Sequence, residues 1–337
     1  MTLRSAMTRR EMALAGIIAP ALAALPLSDT RAATAVTIKL GWATADAPQD
    51  SFAIAARAFK AALEREAPGA FDVQLYPNRQ IGDEKQLVEG LRLGTVDAAV
   101  ITNAAYAQFE SAFQLNDLPF LYESEAKVFQ TMDGEVGRQL GDKIEKRGVK
   151  VLAYLAGGYR HMLNNKRPVH SPADLTGVKY RVHNAVAVDM YSLLGAGPVP
   201  MSWGETTTAL QQGAVDGLDL PIGVMDSLKI SDSVKFLSLT GHTYSGAALG
   251  MSKRRFDRFT EAQRDAVLRA AAAAAAEQRK VNAANEALIL DTLRGKGLAI
   301  NEVADKSEFR SKVRPIYEKF RADIGSDLLA AALGAAK

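Results

Sequence analysis

Residues 71–101 read FDVQLYPNRQIGDEKQLVEGLRLGTVDAAVI, and this stretch decides the fold class. Phe71–Tyr76 reads as a strand. Asp83 to Leu93 reads as a short helix, with Asp83 as N-cap and Gly94 just past its end. Ala98–Ile101 is a buried strand. Strand, capped helix and strand in succession are the signature of an α/β domain. The pattern continues on both sides. Upstream, Val36–Trp42 is a strand candidate, and Ser51–Glu66 carries apolar residues at helical spacing (Phe52, Ala55, Phe59, Leu63). Downstream, Lys127–Arg147 reads as one helix closed by Gly148, and Val149–Tyr154 as a strand.

A second stretch begins near Gly157. Val178–Val182 is a strand. Asn184 can cap a helix over Ala185–Leu194 that stops at Gly195. Ser202-Trp203-Gly204-Glu205 has capping-box spacing and opens a helix ending at Gly213. Val234–Leu239 and Ala247–Ser252 are strands. Thr260-Glu261-Ala262-Gln263 is a second capping box, opening an Ala-rich helix to about Arg294. At 1.5 Å per residue that helix is about 50 Å long, enough to lie across two domains. No repeat and no Pro/Gly/Ser-rich linker separates the two stretches.

The chain has 337 residues, 48% hydrophobic and 23% charged, with a net charge of +3 and no cysteine. This is a soluble globular balance with room for two domains. It excludes disulfides, thiolate metal sites and iron–sulfur clusters, and no Lys/Arg block marks a nucleic-acid partner. Residues 1–35 read as an address. Arg4, Arg9 and Arg10 precede an apolar run from Met12 to Leu27, and Ala33-Thr34-Ala35 fits small-x-small cleavage. Thr8-Arg9-Arg10-Glu11-Met12 resembles a twin-arginine export signal. The expected mature chain begins near Val36 and resides in the periplasm.

Enzyme signatures are missing: no GxSxG, no P-loop, no GxGxxG after a strand, no HExxH. His161, His170, His183 and His242 lack metal-ligand spacing. The expectation is therefore no catalysis, no cofactor and no metal. Two arginines stand out instead. Arg160 follows Gly157-Gly158-Tyr159, and Arg181 ends the strand that starts at Val178. Open α/β sheets bind ligands at the carboxyl ends of strands, and a guanidinium fork matches a carboxylate. A strand-end arginine is also a common surface ion pair, so both readings stand on these residues alone.

Several blocks in order carry a resemblance. They are Tyr76-Pro77-Asn78-Arg79-Gln80-Ile81-Gly82, Leu93–Asp97, Leu118-Pro119-Phe120-Leu121, Gly158-Tyr159-Arg160, Ser171–Val182, Pro198–Met201, Ala209–Gly217 and Leu239–His242. The most specific are 174–182 and 209–217. Together they resemble the solute-binding proteins of tripartite ATP-independent periplasmic (TRAP) transporters, the dicarboxylate/sialic-acid-binding type. The resemblance implies an α/β periplasmic-binding-protein clamshell: two α/β domains, a ligand cleft between them, and a long helix spanning both. The expected division is 36–157 with 246–286 against 158–245 with 287–337. The implied function is capture of a small organic acid and its delivery to TRAP membrane subunits, by a protein expected to be a monomer.

The resemblance also implies roles. Arg181 is the ionic anchor for a ligand carboxylate, with Arg160 near it and Trp203 an aromatic wall. Asn184 and His242 match positions near the cleft, and Thr102 and Asn103 fall on a loop that faces it. One departure concerns the Asp216-Gly217-Leu218-Asp219-Leu220-Pro221 block, where many members carry Asn in place of Leu220. That change removes a polar partner and places apolar surface beside the ligand. His183 replaces the usual proline after Arg-Val and adds a titratable donor. Asp219 is read as not holding a cation. Rival readings are an enzyme on the same clamshell, a binding protein of an ATP-driven transporter, and a sensor partner.

Overall fold

The alternating pattern builds two sheets. In the computed structural model, which describes residues 35–227 and 229–336, the first sheet contains β1 (Val36–Gly41), β2 (Phe71–Tyr76), β3 (Ala98–Thr102) and β4 (Val149–Leu155). The second contains β5 (Tyr159–Asn164), β6 (Lys179–Val182), β7 (Gly197–Pro200), β8 (Gly217–Pro221) and β9 (Phe236–Tyr244). The chain then returns β10 (Ala247–Ser252) to the first sheet and later adds β11 (Ala299–Glu302) to the second. The orders are β2-β1-β3-β10-β4 and β11-β9-β5-β8-β6-β7. β10 is antiparallel to β3 and β4, and β5 is antiparallel to β8 and β9. The expected export segment, 1–35, lies outside the described residues apart from Ala35. No described helix is long and apolar enough to cross a membrane.

Local chemistry sets the helix ends. Asp83 and Gln86 form a reciprocal capping box, and Gly94 closes that helix in the left-handed region at φ 77°, where glycine carries no Cβ penalty. Thr260 and Gln263 form another at the start of the long helix Glu261–Gly295. Its alanines have a packing reason: Ala266, Ala270, Ala271, Ala274 and Ala275 are buried in a core shared with the first sheet and the helix Ser51–Glu66. Farther along, Ile289 and Leu293 are buried in a core shared with β8 and β9. The helix thus serves both sheets.

The expected single helix over Lys127–Arg147 is two helices, Glu125–Met132 and Glu135–Glu145. Asp133-Gly134 between them are weak helix formers. A Cβ at Gly137 would lie 1.8 Å from the Met132 carbonyl oxygen, so the backbones meet where only glycine fits. β9 also runs past the expected Val234–Leu239 to Tyr244.

The chain crosses between the sheets at Ala156–Gly158, at Ser245–Gly246 and along the long helix. Fully buried Gln278 clamps the first crossing: its Nε2 donates to Ala156 O at 2.6 Å, and its Oε1 accepts from Ala156 N at 3.0 Å. A Cβ at Gly157 would stand 1.7 Å from the Ser245 carbonyl oxygen. Glycine there lets the two crossings lie side by side. Gly157→Ala is expected to cost about 1–3 kcal/mol as an overpacking defect, read as a lower urea midpoint. An unchanged midpoint would show that the crossings can separate freely.

Candidate functional site

β3 ends at Thr102, β6 at Val182 and β8 at Pro221. Thr102, Arg181 and Leu220 stand in these strands' last two residues, and all three line one cleft of about 730 Å³, open mouth included. The strands' carboxyl ends therefore meet at the cleft, as in other open α/β sheets. The two crossings supply its floor through Gly157, Ser245 and Gly246.

Arg181 is 5% exposed. Its Nη2 donates to Met201 O at 3.1 Å, and its guanidinium lies 5.5 Å from the centre of the Trp203 ring. Its Nε is buried without a partner, and among the described residues no carboxylate pairs with it. Burial, then the neighbouring Arg160 charge, pull its pKa down to about 10. A desolvated, unpaired guanidinium in a cleft wants an anion.

Arg160 is bound differently. It is the second residue of β5, and β5 pairs with β8. Its Nε and Nη2 donate to the Asp219 carboxylate at 2.9 and 2.8 Å, and Nη2 also donates to Asp219 O. Nη1 reaches Ser245 Oγ at 3.4 Å. Burial opposes the ionised form of Asp219, but Arg160 and His242 outweigh it and hold the carboxyl well below its usual range. Arg160 and Asp219 cancel in charge, so Arg181 is the unmatched cation. Asp219 is spent on this pair.

Of the eight expected site residues, Arg160, Arg181, Trp203, Leu220, Thr102 and Asn103 line the cleft. Asn184 and His242 do not. Asn184 is an N-cap, its Oδ1 accepting from Ala187 N at 2.9 Å, which turns the side chain to the helix backbone. His242 is fully buried inside β9, not after it, with Nε2 2.9 Å from Asp219 Oδ2 and Nδ1 2.7 Å from Thr240 Oγ1. It props the aspartate that holds Arg160.

Sequence reading missed Glu84 and Asp117, and it named His183 without placing it at the site. Glu84 accepts from Thr102 N at 2.8 Å and from Thr102 Oγ1 at 2.9 Å. Burial, with Asp83 adding to it, raises its pKa. In sequence it looks like an ordinary acidic first-turn residue. His183 Nε2 lies 3.5 Å from Asp117 Oδ1. Burial, then Arg160, push His183 toward the neutral form. Phe52, Trp203 and Val224 supply apolar wall, and Leu220 is one of these cleft-lining residues. Trp42 is core at 0% exposure, while Tyr244 lines the cleft.

Residues 42–323 match bacterial extracellular solute-binding protein family 7, the DctP family. The 2,3-diketo-L-gulonate-binding periplasmic protein YiaO of Escherichia coli (strain K12) is 32% identical over 314 residues, 92% of this chain and 95% of that protein. The sugar acid binding protein DctPAm from Advenella mimigardefordensis strain DPN7T, solved in complex with galactonate, is 29% identical with a TM-score of 0.86, over 90% of this chain and 98% of that one. A TRAP periplasmic solute binding protein from Polaromonas sp JS666, solved bound to D-erythronate, is 33% identical with a TM-score of 0.85, over 88% and 98%. With its two-sheet clamshell and interposed cleft, this chain belongs to bacterial extracellular solute-binding protein family 7, the TRAP-type solute-binding proteins.

Proposed function

We propose that this protein captures a small organic acid in the periplasm and delivers it to TRAP membrane subunits for ion-gradient-driven uptake. The observation that carries this reading is Arg181: buried, lining the cleft, and without a carboxylate partner among the described residues. The ligand's carboxylate completes it. The relatives that hold galactonate and D-erythronate support an acid as cargo. Export follows the twin-arginine-like segment at Thr8–Met12, and the mature protein works as a monomer without cofactor or catalysis. The two lobes are 36–157 with 246–286 and 158–245 with 287–337. Closure of the lobes around the acid is driven by its higher affinity for the closed form.

A thermal-shift screen of purified protein, freed of bound ligand, against organic acids, neutral sugars and amines tests the reading. A ligand at a hundred times its Kd adds about 2.7 kcal/mol of stability. Stabilisation by one class of carboxylate is expected. Stabilisation by neutral sugars or amines with no response to any acid would overturn it.

A further inference from the structure

Arg181 accounts for one end of a ligand, and the cleft holds a second group of polar atoms that find no hydrogen-bond partner among the described residues. Asp117 Oδ2, His183 Nδ1 and Asn103 Oδ1 are each buried without a hydrogen-bond partner, and all three residues line the same cleft as Arg181. Asp117 is 8% exposed and Asn103 is 2% exposed. Buried polar atoms left unpaired are rare, and each costs about 1–3 kcal/mol.

The chemistry of these atoms is one-sided. The Asp117 carboxylate, 3.5 Å from His183 Nε2, selects the tautomer with hydrogen on Nε2. Nδ1 is then an acceptor. Asp117 Oδ2 is an acceptor, and so is the Asn103 oxygen. Three acceptors call for donors, and a carboxylate ligand's own oxygens have none to give. Hydroxyl groups do.

Charge narrows the choice further. Arg160 is matched by Asp219, which leaves Arg181 as the cleft arginine without a carboxylate partner among the described residues. Burial favours the neutral form of Glu84. A second ligand carboxylate would meet Asp117 or the apolar wall of Phe52 and Leu220. An ammonium group would share the cleft with Arg160 and Arg181, and Arg181 is already depressed by burial and then by the Arg160 charge.

We propose that Asp117 and His183, with Asn103, form a hydroxyl-reading subsite, so that the cargo is a hydroxylated monocarboxylate and a second carboxylate is turned away. This rests on the Arg181 capture reading. The apolar wall then receives the C–H face of the chain.

Calorimetry with matched acids tests it: D-erythronate, butyrate and tartrate as a four-carbon set, and gluconate, hexanoate and galactarate as a six-carbon set, with homoserine as the ammonium control. In at least one set the hydroxylated monocarboxylate is expected to bind at least tenfold tighter than both its deoxy and its dicarboxylate partners, and tighter than homoserine. Asp117→Asn keeps the shape and removes the charge, so it should shrink the bias against the dicarboxylate by about tenfold. His183→Gln, an independent variant, should shrink the bias against the deoxy acid. Arg181-dependent binding without preference for hydroxyls, or ratios unchanged in both variants, overturns the subsite and leaves capture standing. Homoserine binding tightest reassigns the subsite to an ammonium. Failure of every acid to bind overturns the capture reading itself.

Discussion

Arg181→Ala is expected to weaken carboxylate capture by about thirtyfold to several-thousandfold, the 2–5 kcal/mol lost when one partner of a buried charge pair is removed. The same change should leave the ligand-free protein as stable as before, or more so. The two effects have opposite signs for one reason. In this structure Arg181 is 5% exposed with its Nε unpartnered. Its pKa, pulled down to about 10 by burial and Arg160, says that the fold disfavours its charge, at about 1.4 kcal/mol per tenfold. Removing the guanidinium relieves that cost and forfeits one bond to Met201 O and the contact with Trp203. Ligand carboxylate reverses the balance, because a fork–carboxylate pair is strong where water is excluded. Calorimetry and melts on both proteins check this. Unchanged affinity would remove Arg181 as the anchor, and a large fall in ligand-free stability would make it a structural residue. Arg181→Lys keeps the charge without the planar fork and should fall between the two.

Features that need only neighbouring residues were legible in the sequence. The N-cap at Asp83 and the capping boxes at Ser202 and Thr260 each depend on side chains no more than three residues apart. The long helix follows from its alanines, and Arg181 stands out at a strand end, though its role as an anchor comes only from the family resemblance. Features that depend on distant partners were not. Tyr159–Asn164 carries arginine, histidine and asparagine, a poor strand by composition, yet it sits in the middle of the second sheet. Its polar side chains find partners far along the chain: Arg160 finds Asp219, 59 residues on, and His161 Nδ1 accepts from Gly241 N, 80 residues on. β8, its partner strand, was likewise not read from sequence. The same limit explains His242. It was expected at the ligand because it lies in a block shared with a family, but a residue can belong to a site by holding a residue that holds another. Glu84 and Asp117 gave no local sign, since an acidic side chain becomes part of a site only when the fold buries it.

Asp219→Ala is the substitution expected to harm the protein itself, by about 3–5 kcal/mol, because it strands a buried guanidinium. Arg160 is 7% exposed and Asp219 is 1% exposed, and His242 loses its acceptor at the same time. The loss should depend on pH in a defined direction. Burial raises the Asp219 pKa, but Arg160 and His242 more than offset this and set it well below 3.8. A carboxyl depressed by folding contributes stability that is complete above its unfolded value and disappears as the pH falls through the folded one. The gap between wild type and Asp219→Ala should therefore be widest near neutral pH and narrow below pH 3.8. Urea unfolding across that range measures it, and a gap that widens in acid would contradict the ion-pair account. Capture and stability can then be separated. Arg160→Met combined with Asp219→Leu replaces the pair by apolar side chains, a change that is often neutral for buried ion pairs. That double variant should recover most of the stability. It should still bind acids poorly, since Ser245 Oγ loses its Arg160 neighbour at the cleft. Recovery of both stability and affinity would show that Arg160 serves only the fold and that Arg181 alone holds the carboxylate.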